Sequence, residues 1–348
     1  MPSGWDAWIR RTVLATAAVC LAAGPAAADP VADFYRGKQI TLFIGGGTGG
    51  GYDVYARTVM RTMVGHIPGK PIFVARQMGS AGGLPMVNHV ANVAEKDGTV
   101  IGASQNGVPF EPLFHILSAG GAKAQFDPLK LNWLGSPAQD VFVLINWHTS
   151  PIERYEDLLS REMIVGSSGR STDNSVLARV LNEALGTKLK IVEGYSGSSE
   201  IMLAMERGEV EGAAGRAYST IMASQIDLVR DKKIRFLLQM GIRPHPDLKV
   251  PSAIDLVKND ADRSALRAIY AKYQMARPLF MAAEVPVERV AAMRRAFDAT
   301  MKDPAFLADA EKQRIEIQPV TGEEITELLN LVYTTPKAVI ENARRIVQ

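Results

Sequence analysis

Three features of the 348-residue chain predict an α/β fold built as two units. Short β-rich runs alternate with helical patterns. Glycine- or serine-rich loops join them. The alternation breaks off and then starts again. In the first unit, residues 39–44 (Q-I-T-L-F-I) form a strand that runs into Gly45-Gly46-Gly47-Thr48-Gly49-Gly50-Gly51. A helix is expected from Asp53, with Val54, Val59, Met60, Met63 and Val64 at helical spacing and Gly65 as its stop. Residues 71–75 are a second strand, followed by Gly79-Ser80-Ala81-Gly82-Gly83 and a helix over 86–94; residues 99–104 are a third strand. Strand–loop–helix alternation of this kind argues for parallel sheets covered on both faces.

In the second unit, 141–146 (V-F-V-L-I-N) and 163–165 are strands, the latter entering Gly166-Ser167-Ser168-Gly169-Arg170-Ser171-Thr172-Asp173. The next helix shows Val176, Leu177, Val180, Leu181, Ala184 and Leu185 on its apolar stripe and Gly186 as its stop. Residues 189–192 lead to Gly194-Tyr195-Ser196-Gly197-Ser198-Ser199 and a helix through Ala204. Residues 210–214 and 234–239 complete the strands. After Arg243-Pro244-His245-Pro246 the chain turns helical, most clearly over 285–301 and 322–333. The second unit, 139–244, is therefore read as inserted into a first one made of 29–138 and 245–348.

Hydrophobic residues make up 47% of the chain and charged residues 22%, enough to bury a sizeable core. The net charge of +2 gives no electrostatic reason to expect nucleic acid or an anionic membrane surface as a partner. Residues 1–28 read as a signal peptide: Arg10-Arg11, an uncharged apolar stretch over 12–21, then Ala26-Ala27-Ala28 before Asp29. That stretch is shorter than the roughly 20 residues that span a bilayer. The arginine pair leaves the secretory and twin-arginine routes both open. Cys20 is the single cysteine and lies inside the signal, so a mature chain from Asp29 holds no thiol for a disulfide, metal or nucleophile. Val19 before Cys20 argues against a lipid anchor there.

A glycine-rich loop between strand and helix sets backbone N–H groups without intrahelical partners at the positive end of the helix dipole, which makes an anion site. Residues 47–53 fit this description, and so do 166–173, whose hydroxyls can donate to a carboxylate. Both loops can equally be tight turns in which Asp53 and Asp173 cap their helices. Enzyme signatures are not met. Gly45, Gly47 and Gly50 satisfy G-x-G-x-x-G, but no acidic residue falls between Asp53 and Glu95 to hold a ribose. G-x-S-x-G fails at Arg170 and at Ser198. The five histidines have no metal-ligand spacing, and no cofactor motif is complete.

Phe34-Tyr35, Gly37-Lys38 and Ile40, the glycine loop, Tyr52-Asp53 and Ala56-Arg57 together resemble the opening of the tripartite tricarboxylate transporter receptors, often called Bug receptors. The similarity continues in order through Gly79-Ser80-Ala81-Gly82-Gly83, Asp97-Gly98-Thr99, Gly166-Ser167-Ser168-Gly169, Gly208-Glu209-Val210-Glu211 and Lys302-Asp303-Pro304. The resemblance implies a type II-like periplasmic binding protein fold, with two α/β lobes joined by crossover strands and a ligand cleft between them. It implies a monomeric, non-catalytic receptor that captures a small carboxylate and delivers it to membrane transporter subunits. A ligand sensor and an exported enzyme on the same scaffold remain alternatives. The implied ligand contacts are Thr48, Gly49, Gly50, Gly51, Tyr52 and Asp53 in one lobe, and Ser167, Ser168, Arg170, Ser171, Thr172 and Asp173 in the other. Ser80, Ala81 and Gly82 would complete the wall with Tyr195, Ser196 and Gly197. Two departures from the family pattern bear on the pocket: Tyr52 stands where a small polar residue is usual, and Arg170 where a small residue is common. Arg170 either pairs with a second carboxylate or points to solvent, and Arg216 is a second candidate for that role.

Overall fold

The computed structural model describes residues 29–116, 123–170 and 172–347. The expected signal peptide with its Cys20, and Ser171, lie outside the described residues. The chain forms β1 (Gln39–Ile44), β2 (Ile72–Gln77), β3 (Val100–Ala103) and β4 (Asn132–Ser136), then β5 (Phe142–Trp147), β6 (Met163–Ser167), β7 (Leu189–Glu193), β8 (Gly212–Ala217) and β9 (Ile234–Met240). It ends its strands with β10 (Leu279–Met281) and β11 (Val320–Thr321). These make two sheets, of order β11-β4-β10-β3-β1-β2 and β7-β6-β8-β5-β9.

Both sheets are mixed where the alternation predicts parallel ones. β1 is parallel to β2 and β3, and β6 to β7 and β8, as the strand–loop–helix repeats require. β10 and β11, and β5 with its neighbours β8 and β9, run antiparallel. Those strands are reached by long connections or by crossing between sheets, and neither leaves a repeat in the sequence. Burial explains the apolar strands. Ile40, Leu42 and Ile44 of β1, Val143, Leu144 and Ile145 of β5, and Leu279, Phe280 and Met281 of β10 are all buried, as expected of strands covered on both faces.

Helix Gly51–His66 buries Tyr55, Ala56, Val59, Met60 and Met63 at three- and four-residue spacing. It packs against helix Val287–Thr300. Helix Asp173–Leu185 buries Val176, Leu177, Val180 and Leu181. The segment between β4 and β5 crosses from one sheet to the other. It is held to the returning chain by Asp140 N–H to the Tyr273 carbonyl and Ala276 N–H to the Ala138 carbonyl, each 3.0 Å.

The return after β9 is indirect. Ser252 bridges Gln239 of β9, and helix Asp260–Tyr270 lies against the C-terminal helix Lys337–Val347. That last helix packs in turn on helix Asp173–Leu185, where Arg179 Nε donates to the Val347 carbonyl and Arg345 pairs with Glu183. The sequence reading groups all of 245–348 with the first sheet. The apolar stripes Ala265, Leu266 and Ile269, and Ile340, Ala343 and Ile346, bury these two helices among their helical neighbours, Asp173–Leu185 of the second unit and Glu111–Phe114 of the first included. A stripe marks a face that needs covering but does not name the sheet that covers it.

Candidate functional site

β1, β2 and β3 point their carboxyl ends the same way, and the loops that leave them converge there, as ligand sites in open α/β sheets do. Helix Gly51–His66 begins without a side-chain cap at Gly50. Its first N–H groups, from Gly51, Tyr52 and Asp53, have no acceptor within the helix. Two glycine loops meet beside it at backbone distance. A Cβ on Gly79 would sit 2.7 Å from the backbone of Gly46, and one on Gly83 2.7 Å from the carbonyl oxygen of Gly45. Gly79 and Gly83 are thus glycines because loop packs on loop, whereas a Cβ on Gly46 would meet the Tyr52 side chain at 2.8 Å. The residues that face open space are Gly47 and Gly49. Ala81 adopts left-handed backbone angles, with φ 45°.

A cavity of about 500 Å³ opens between the two sheets. Its lining includes Tyr52, Ala81, Gly82, Asn106 and Arg277, the apolar Phe110, Phe114, Ile269 and Val347, and the carboxyl-bearing Glu111. Thr172, Asp173 and Lys272 line it too, and Phe142 supplies an aromatic wall. The Arg277 guanidinium stacks on the Tyr52 ring at 4.7 Å and on Tyr55 at 5.3 Å. It lies close enough to the helix start that a Cβ on Gly51 would be 3.4 Å from Arg277 Nη2. One of its N–H groups donates to its neighbour's carbonyl, that of Ala276, at 2.8 Å. Among the described residues no acid pairs with it, and its Nε is buried without a partner. Asn106 Nδ2 is also buried without an acceptor, while its backbone N–H donates to the Tyr52 hydroxyl at 3.2 Å. Burial raises the Tyr52 phenol pKa, so it faces the cavity as neutral O–H.

The expected contacts divide into three sets. Tyr52, Ala81, Gly82, Thr172 and Asp173 line this cavity. Thr48, Gly49, Gly50, Gly51 and Ser80 are exposed beside it. The others are turned to other tasks. Asp53, 4% exposed, accepts from Gly49 N–H at 2.9 Å, Arg57 Nε at 2.6 Å and Gln77 Nε2 at 2.5 Å. Desolvation would raise its pKa, but these bonds outweigh it and hold the carboxyl below its ordinary value. It braces the loop from behind and does not face the cavity.

Ser167 is buried. Its hydroxyl lies 2.7 Å from that of Ser175 and 3.3 Å from that of Thr172, and receives Gly169 N–H at 3.2 Å. Ser168 reaches only Asn174 Oδ1, at 3.5 Å. Arg170 is exposed and lines neither this cavity nor the smaller one beside β8. Ser196 N–H is taken by the Glu200 carboxylate, and Tyr195 and Gly197 also stand outside both cavities. Asp173, which does line the larger cavity, is neutralised by Lys272 Nζ at 2.6 Å and bonded by the Tyr273 hydroxyl at 3.1 Å. Arg216 lines the smaller cavity.

Sequence reading missed Arg277, Lys272, Asn106 and Phe142. A usable signal existed for Asn106: Ser104-Gln105-Asn106-Gly107 follows β3 at the same sheet edge as the glycine loops. Arg277 and Lys272 precede a three-residue strand that no alternation announces.

No family model matches the chain. A curated protein of Cupriavidus necator, described as a UPF0065 protein in the gbd 5′ region, is 30% identical over 207 residues. That match takes in 58% of this chain and 59% of the relative, so the chain spans about three fifths of the length of the curated protein it matches. Among solved structures, a TctC solute-binding protein from Polaromonas superposes with a TM-score of 0.64 at 16% identity, covering 88% of this chain and 99% of that one. The periplasmic binding protein BugD superposes at 0.63 and 16%, covering 89% and 98%. In fold, the chain is similar to the Bug- and TctC-type solute-binding proteins. Its two mixed sheets with flanking helices are the two lobes of that architecture. MatC from Rhodopseudomonas palustris, solved with bound malate, shares it at a TM-score of 0.61 and 16% identity, covering 89% and 99%.

Proposed function

We propose that the chain is a periplasmic receptor of the Bug type. It captures a small carboxylate between its lobes and delivers it to a tripartite tricarboxylate-type membrane transporter without converting it. The observation that carries this reading is the pair of buried donors without acceptors, Arg277 Nε and Asn106 Nδ2, in one cavity. Buried donors are rarely left unpaired, because each forfeits the bonds it made to water. A carboxylate against the uncapped start of helix Gly51–His66 would serve both donors and pair with the guanidinium. Support comes also from the solved relatives, which are binding proteins, one of them with bound malate. The lobes of this reading follow the two sheets, with the crossover at 137–141 and the segment 272–276 as the hinge. A ligand touching both lobes stabilises the closed form by its higher affinity for it. Export rests on the sequence, with cleavage near Asp29.

Calorimetry of the purified protein against mono-, di- and tricarboxylates, with product analysis of the same samples, tests the reading. Stoichiometric binding without product is expected. Multiple turnovers, or no carboxylate binding at all, would overturn it. N-terminal sequencing of the periplasmic fraction should begin near Asp29.

A further inference from the structure

Val108, Phe110, Phe114, Ile269 and Val347 line the cavity of about 500 Å³ together with Asn106 and Arg277. All five are buried. They come from elements packed on one another. Turn Val108–Phe110 runs into helix Glu111–Phe114 after β3, helix Asp260–Tyr270 supplies Ile269, and the C-terminal helix Lys337–Val347 packs on both helices. The wall is held from several directions. The Tyr333 hydroxyl donates to the Pro109 carbonyl at 2.7 Å, Arg344 Nε to the Leu113 carbonyl, and Arg179 Nε to the Val347 carbonyl at 3.2 Å. Phe142, stacked on Tyr273 at 4.1 Å, adds an aromatic face.

Charge in the same lining is scarce. Among the described residues that line the cavity, the cations are Arg277 and Lys272. Lys272 is taken by Asp173 at 2.6 Å. Glu111, 2% exposed, adds an acid to the wall. One carboxylate is therefore matched by a guanidinium, whereas a second would be buried without a counter-charge, which is costly. A carboxyl group displaces on the order of three waters, about 90 Å³. Most of the cavity is left for the rest of the ligand, and apolar side chains make up much of its wall.

We infer that the ligand is a monocarboxylate with an apolar body, aliphatic or aromatic, and that Phe114, Ile269 and Val347 set the size of that body. The carboxylate sits at Arg277, and the body packs on the wall that the C-terminal helix completes. This rests on the carboxylate-receptor reading and narrows it to one-headed, amphiphilic ligands.

The test is calorimetry with the purified exported protein. The ligands are straight-chain monocarboxylates from propanoate to decanoate, phenyl-substituted monocarboxylates, the α,ω-dicarboxylate of each chain length, and citrate. Wild type should bind monocarboxylates about four-fold more tightly per added methylene until the wall is reached. Each dicarboxylate should bind at least ten-fold more weakly than the monocarboxylate of its length. Val347→Phe fills part of the cavity and should move the optimum to a shorter body, cutting the ratio of long- to short-chain affinity at least ten-fold. Phe114→Leu should move the optimum to a bulkier one. Should neither variant fold, the wild-type series decides. Affinity that does not rise with chain length, dicarboxylates or citrate bound as tightly as the best monocarboxylate, or an unchanged size preference in both folded variants overturns the inference while the receptor reading stands. A wild type that binds no carboxylate overturns both.

Discussion

The loops 47–53 and 166–173 occupy equivalent places, each between the carboxyl end of a parallel strand and the first turn of a helix. They behave differently. Neither helix start has a side-chain cap, but the first loop is mostly glycine and leaves its helix amides facing a cavity beside Arg277. The second is rich in hydroxyls and consumes them: Ser167 is bonded within the loop and to Ser175, and Thr172 donates to the Gly169 carbonyl at 2.7 Å. The charge at its helix start is paired with Lys272. A hydroxyl within reach of its own backbone bonds it. Glycine has nothing to bond with, so its loop stays open to a ligand. Abundant donors in sequence are therefore a poor guide to donors available for binding.

The largest effect should come from the glycines that let the first region pack. Gly83→Ala places a Cβ at φ +82° and 2.7 Å from the Gly45 carbonyl oxygen. Strain and overpacking together should cost about 2–4 kcal/mol. In the second region Gly186→Ala, at φ +73° with no atom near the new Cβ, should cost only about 1 kcal/mol. Denaturant titration of both variants measures the contrast. Equal losses would mean that the close packing of the two glycine loops is not what requires glycine.

Arg277→Gln comes next. It removes a guanidinium that has no acidic partner among the described residues and should weaken carboxylate binding by about 1.5–3 kcal/mol, roughly ten- to a hundred-fold in Kd. The unliganded protein should melt close to wild type, because the Nε that is removed is buried without a hydrogen-bond partner. Calorimetry and a melting curve read the two halves separately. Unchanged affinity would remove the first region from the site.

These contrasts also mark what the sequence could convey. β1, β6, β7 and β9 and the helix Gly322–Tyr333 were legible because apolar runs and capping residues are local signals. The box of Thr321 and Glu324 at that last helix is one such signal. The glycine loops were legible as loops. Their partners were not: Arg277 meets Tyr52 across more than two hundred residues, and no periodicity encodes which antiparallel strand returns beside β3. Asp53 and Asp173 look interchangeable in sequence. One is turned inward to Arg57 and Gln77, and the other faces a lysine from the far end of the chain.

That difference gives a pH-dependent test. Asp53 has a folded pKa depressed below 3.8. Its contribution to stability is fully present above the unfolded value and is lost as pH falls through the folded one. Asp53→Asn should therefore destabilise at pH 7 by about 1 kcal/mol, and the gap to wild type should close as the pH falls below about 3.8. Denaturant midpoints at pH 7 and pH 3 check this. A gap independent of pH would show that the amide disrupts the loop sterically and that the charge is not what braces Gly49.

The smallest effects should fall on the second loop, where hydroxyl count suggests the opposite. Ser168 has one long contact, to Asn174 at 3.5 Å, and lines neither cavity; Arg170 is exposed. Truncating a side chain that does not touch the ligand removes no bond to it, so Ser168→Ala and Arg170→Ala should each change affinity by less than about 0.5 kcal/mol, roughly two-fold. Ser167→Ala separates stability from binding at the same loop. It deletes a buried hydroxyl bonded to Ser175 and to Gly169 N–H, and should cost about 1–2 kcal/mol of folding free energy with affinity nearly unchanged. Lobe closure gives this loop its one route to the ligand, because closing could carry Ser168 inward. A ten-fold loss in Ser168→Ala would show that it does. The two loops would then differ only in the open form, and the second would rejoin the first as half of the clamp.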